Sequence, residues 1–167
     1  MWFRNNKRVN KTTKKHDAVR RCTNEGYDCE KIAIEKIKHF ISKDAMNIDG
    51  LGKKVVENFW DLNLIRFPQD IYNLDYNKIS NLEGWGDLSV SNLKYSIDQS
   101  KKVSLDKFLY AIGIRHIGIE NAKLLAEHVK SIKNFIIFVK KDKLNEFLDI
   151  DGIGETQINS LKTFFEN

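Results

Sequence analysis

Apolar residues recur along much of the chain at helical spacing. Ile34, Ile37, Phe40 and Ile41 make one stripe, and Phe108, Leu109 and Ile112 another, as expected where one face of an amphipathic helix packs inward. After such stripes the chain turns in the same way four times. Ile48-Asp49-Gly50-Leu51-Gly52, Leu82-Glu83-Gly84-Trp85-Gly86, Ile114-Arg115-His116-Ile117-Gly118 and Ile150-Asp151-Gly152-Ile153-Gly154 align, with final glycines 34, 32 and 36 residues apart. Four residues beyond those glycines lie Val56, Val90, Ala122 and Ile158, and seven beyond lie Phe59, Leu93, Leu125 and Leu161. That spacing predicts a helix opening at each final glycine and burying this stripe. The repeating element is helix, tight turn, helix, so the pattern predicts an all-α chain of four hairpins in two paired units.

The turns carry the candidate chemistry. A glycine at the first turn position, as at Gly50, Gly84 and Gly152, can take positive φ cheaply. The last glycine (Gly52, Gly86, Gly118, Gly154) opens the next helix without a side chain over its first N–H groups. Those groups have no partner inside the helix and lie at the positive end of its dipole, which suits an approaching phosphate. The third turn differs: Arg115 stands where the others carry Asp49, Glu83 and Asp151, and His116 replaces the first glycine. Arg115 suits a phosphate or the minor groove, or answers a neighbouring acid. For His116 the options are a DNA contact or a purely structural place in the turn. Lys53, Lys54 and Lys123 follow their turns closely and either add phosphate contacts or remain solvated. Phe59, Trp60, Trp85 and Tyr110 stand at core spacing, as do the wedge residues Leu51, Trp85, Ile117 and Ile153.

Charge changes the picture only at one end. The 167 residues carry 28 Lys and Arg against 23 Asp and Glu. Residues 1–21 hold eight of those bases and one acid, leaving 20 bases against 22 acids in the remainder. The positive charge therefore belongs to an N-terminal arm, expected to be disordered and flexible, and the body must hold any nucleic acid without a broad basic face. No apolar run reaches the roughly 20 residues of a membrane span, and no signal peptide is evident at the start, so a cytoplasmic location is expected. Two cysteines do not make a disulfide scaffold.

The turn pattern, with an apolar residue four places after its last glycine, resembles the helix-hairpin-helix DNA-binding motif. Its wording resembles one enzyme family more closely. Arg21-Cys22-Thr23-Asn24, the run Ile37-Lys38-His39-Phe40-Ile41-Ser42-Lys43-Asp44-Ala45-Met46-Asn47-Ile48, and Ala111-Ile112-Gly113-Ile114-Arg115-His116-Ile117-Gly118 with Ala122-Lys123-Leu124-Leu125-Ala126 are similar to bacterial NAD-dependent DNA ligases, as is the segment 61–75. The resemblance covers about residues 18–167. It implies the end of a zinc finger with a linking helix over 22–44 and a four-hairpin domain over 45–167, a domain that in the family lies along the minor groove at a nick. It further implies double-stranded, nicked DNA as partner, and the rest of the ligase as another.

The departures bear on activity. The family's adenylated lysine lies in Lys-x-Asp-Gly, and here Asn47 and Asp149 stand at the lysine position before Asp49-Gly50 and Asp151-Gly152. The chain is therefore expected to lack ligation on its own, with NAD serving only the full-length enzyme. Cys22 and Cys29 match two of the family's four zinc ligands, with six residues between them, a longer spacing than is usual for paired ligands. With no cysteine before them and only His16 near, the zinc site is incomplete. Two other readings remain: a helical domain for protein interaction without DNA affinity, and a glycosylase-type enzyme with Asp106 as its catalytic aspartate, about 20 residues past Gly86.

Overall fold

In the structure, a computed structural model, residues 29–166 are described together with Tyr27 and two short segments, 5–6 and 21–22. In these segments β1 (Asn5–Asn6) pairs antiparallel with β2 (Arg21–Cys22). The rest of the arm, His16 included, and the side chain of Cys22 lie outside the described residues.

From there on the chain is helix and turn. The periodic stripes form α1 (Glu30–Ile41), α2 (Lys53–Asp61), α3 (Tyr76–Ser80), α4 (Asp87–Ser100), α5 (Leu105–Ala111), α6 (Ile119–Val129), α7 (Ile132–Lys140) and α8 (Glu155–Glu166). Two 3₁₀ helices intervene, Pro68–Asn73 and Leu144–Asp149. Proline opens the first of them without losing a needed donor, and Asp70 accepts the N–H groups of Arg66 and Phe67 at 2.8 Å each.

The four hairpins connect α1 to α2, α3 to α4, α5 to α6, and the second 3₁₀ helix to α8. The last incoming element is thus 3₁₀ rather than α-helical. The stripe read from the sequence faces inward: Val56, Phe59, Leu93, Ala122, Leu125, Ile158 and Leu161 are buried, and Val90 is half-buried.

The buried side chains fall into two clusters. The first gathers Ile34, Ile37, Phe59, Ile65, Ile71, Ile79, Leu93 and Ile97 around hairpins 1 and 2. The second gathers Leu109, Ala122, Leu125, Phe135, Phe147, Ile158 and Leu161 around hairpins 3 and 4. Each such side chain withdrawn from water contributes about 1.5–3 kcal/mol before conformational entropy is set against it. Each unit therefore has its own core. The α5 helix belongs to both, with Ala111 in the first cluster and Leu109 in the second.

Hairpins pair within each unit by equivalent contacts. A Cβ on Gly50 of hairpin 1 would lie 3.5 Å from Leu93 Cδ1 on α4, the helix that leaves hairpin 2. A Cβ on Gly152 of hairpin 4 would lie 3.1 Å from Leu124 Cδ1 on α6, the helix that leaves hairpin 3. No helix among the described residues is long and apolar enough to cross a membrane.

Candidate nucleic-acid interface

Each hairpin bends at the same backbone position. Gly50, Gly84, His116 and Gly152 have φ of 89°, 82°, 63° and 94°. In hairpins 2, 3 and 4 the N–H of Trp85, Ile117 or Ile153 donates to the carbonyl of Leu82, Ile114 or Ile150 at 3.0–3.1 Å. Positive φ at the third residue with a bond closing first to fourth is the pattern of a type II turn, which favours glycine there. Hairpin 1 is held differently: its Asp49 N–H donates to Ser96 Oγ on α4 at 2.7 Å.

His116 meets the same geometry with a side chain, at a backbone cost that glycine avoids. Its carbonyl accepts from Asn121 Nδ2 at 3.0 Å, which fixes the turn from the first turns of α6. A structural place in the turn is thus visible for His116, while its ring remains exposed.

The last glycines are a different case. Gly52, Gly86 and Gly118 are N-caps with extended backbone, φ −65°, −96° and −83°, which any residue can adopt. A Cβ on any of the three would meet nothing within 4 Å. Neither backbone conformation nor internal packing calls for glycine at these positions. None of the three helices has a side chain bonded to its N-cap amides. Of the helices that do not follow hairpins, α3 and α7 are capped by Asp75 and Ser131, while α1 and α5 have no side-chain cap. The helices that open at hairpins 1, 2 and 3 thus present bare N–H groups to the outside, where an anion is favoured.

Hairpin 4 departs from this. Gly154 is half-buried, and its N–H donates to Gln157 Oε1 at 3.1 Å. Gln157 stands three residues into the junction, the spacing of a capping box, and that spacing was the available signal in the sequence. Ser96 had no comparable signal, because its partner Asp49 is 47 positions away.

The charged candidates are all exposed. Arg115 has no ion-pair partner among the described residues, whereas Lys53 lies 3.9 Å from Glu57 and Lys123 3.0 Å from Glu120 on their own helices. Exposed pairs of this kind are weak enough for a phosphate to displace. Asp49, Gly50, Gly84 and Trp85 share a cleft of about 480 Å³, so hairpins 1 and 2 open onto one surface. Trp85 is half-buried and packs on Phe59 with ring centroids 5.4 Å apart. Phe59 and Trp60 are buried, as core spacing predicted.

Residues 107–167, which carry hairpins 3 and 4, match the family model for the helix-hairpin-helix motif. The chain is 61% identical over 161 residues to the DNA ligase of Pelagibacter ubique, covering 96% of the chain and 24% of that relative. It is 43% identical over 162 residues to the DNA ligases of Rickettsia massiliae and Rickettsia bellii, covering 90% of the chain and 23% of each. The chain is thus similar to one stretch of these DNA ligases. It spans about a quarter of the length of the curated relatives it matches, and it fits a C-terminal fragment of such a protein.

Two other candidates from the sequence, Cys29 and Asp106, stand away from the hairpin turns. Cys29 is buried at the head of α1, and among the described residues no group of three or more His, Cys, Asp or Glu is arranged to hold a metal. The side chain of Cys22, the other candidate ligand, lies outside the described residues. Asp106 is half-buried in the first turn of α5 and lines neither the cleft between hairpins 1 and 2 nor the larger groove beside α1.

Proposed function

We propose that the chain binds duplex DNA without regard to sequence, and nicked duplex in particular, as the non-catalytic part of an NAD-dependent ligase acting in replication and repair. The observation that carries this reading is the trio Gly52, Gly86 and Gly118. Glycine there serves no internal need, and it leaves uncapped helix amides open to a phosphate.

Contact through backbone amides goes to phosphates and carries no base information, so the grip is positional. Gly50, Gly84 and Gly152 shape the turns that present these amides. Arg115, Lys53 and Lys123 add charge beside them, and His116 holds the third turn. Gly154 contributes least, since Gln157 already occupies its N–H.

Adenylation belongs to another part of the ligase in this reading. The chain has no Lys-x-Asp-Gly, and a surface lysine lacks the depressed pKa and nucleotide pocket that attack on an adenylate requires. The cell compartment is the bacterial cytoplasm, at the nucleoid when DNA is bound.

A mobility-shift titration with nicked and intact duplexes of several sequences tests the reading. The expected Kd is roughly 10⁻⁴ to 10⁻⁶ M near physiological salt, equal across sequences and lower for the nicked form. In parallel, incubation with NAD should leave no AMP adduct. Absence of any shift at these concentrations, or a covalent adduct on a lysine, would overturn it.

A further inference from the structure

The two units share α5, whose Ala111 is buried in the first cluster and whose Leu109 is buried in the second. Between them runs an apolar groove of about 860 Å³, walled by Ile32 and Tyr72 on one side and by Phe108, Ile112 and Phe164 on the other. Beside this groove α1 of the first unit packs against α5.

His39 stands at that point. Its Nε2 lies 2.8 Å from the carbonyl oxygen of Tyr110. A carbonyl only accepts, so Nε2 carries the proton and donates. Tyr110 is the penultimate residue of α5, where carbonyls lack partners inside the helix. Its oxygen also accepts the N–H of Gly113 at 3.1 Å. His39 of one unit thus helps cap the C-terminus of the helix that leads into hairpin 3 of the other.

The ring is held as well. It meets the Tyr110 ring edge to face at 4.6 Å. Gly113 has φ of 70°, and a Cβ there would lie 3.5 Å from His39 Cδ2, so the turn after α5 closes over the imidazole. Direction, contact and backbone turn all converge on one side chain.

We propose that His39 is a positioning residue that locks the two hairpin units at a fixed angle, so that two weak DNA-binding halves grip one duplex as a bivalent surface. This rests on the phosphate-binding reading above. Each half alone is a weak non-specific binder. When both are held in register, the second contact becomes intramolecular, with a gain of about 10²–10⁴ that is lost when the geometry forbids simultaneous engagement.

The test compares affinity for a duplex of roughly 10 bp, about one helical turn and room for one half, with affinity for one of roughly 24 bp. The full chain is used as wild type, as His39→Ala, and as His39→Phe, which keeps a ring but cannot donate to Tyr110. Helical circular dichroism and melting serve as fold controls. Wild type should prefer the long duplex by about 100-fold or more. Both variants should keep wild-type affinity for the short duplex and lose most of the preference for the long one.

A loss of equal size on both duplexes, or a length preference unchanged in both variants, would overturn the proposal. So would unfolding of both variants, because His39 would then be a core residue without a separate positioning role. Wild type that bound neither duplex would instead sink the DNA-binding reading itself.

Discussion

At the scale of single residues, the hairpins hold two kinds of glycine with opposite physical demands. Gly152 needs its positive φ and its missing Cβ, whereas Gly118 needs neither for folding. Replacement at Gly118 therefore separates folding from binding. Aspartate is among the best N-cap residues, since its carboxylate accepts the first free amides and lies at the positive end of the helix dipole. Gly118→Asp should leave stability unchanged or raise it by a few tenths of a kcal/mol. In the proposed reading the same carboxylate occupies the amides that would receive a phosphate, and repels it. Affinity for duplex DNA should fall about tenfold or more, equivalent to at least ~1.4 kcal/mol. Melting and a binding titration on the same sample measure both effects, and a variant that lost stability and kept affinity would refute the assignment.

At the scale of elements, the turn behaves as a unit, and damage to it should spread. Gly152→Ala must hold a side chain at φ 94° with its Cβ 3.1 Å from Leu124 Cδ1, which strains the turn and the seam between hairpins 3 and 4. A cost of about 1–3 kcal/mol is expected, against about 0.5 or less for Gly86→Ala, where a Cβ meets nothing within 4 Å. Chemical denaturation of the two variants checks the contrast. The four hairpins, their inward stripe and their open amides were legible in the sequence because each depends on residues within about two helical turns of a glycine. What was not legible depends on distant partners. Gly50 meets Leu93, Asp49 is held by Ser96, and His39 reaches Tyr110, 71 positions away. No local period encodes such pairs. The same limit explains why sequence placed all seven hairpin glycines on an equal footing, although Gln157 sets Gly154 apart.

At the scale of the whole molecule, charge and shape are divided between different parts of the chain. The hairpins lie in a body with 20 bases against 22 acids, while residues 1–21 carry eight bases and one acid. Neutralising Z phosphates releases counterions, and log affinity then falls with log salt at a slope of about −0.9Z. If the body grips DNA by amides, few side-chain charges enter that slope. The arm supplies up to eight more, so its engagement would steepen the slope by as much as about 7. The expected result is a steep slope for the full chain and a shallow one, about −1 to −3, for residues 22–167. Arg115→Ala in the shorter chain should flatten the slope by a further ~1, equally for every DNA sequence. Binding titrations from low to moderate salt measure all three. Equal slopes with and without the arm would mean that the body itself carries the electrostatic contact, and that backbone amides are not its principal means of holding DNA.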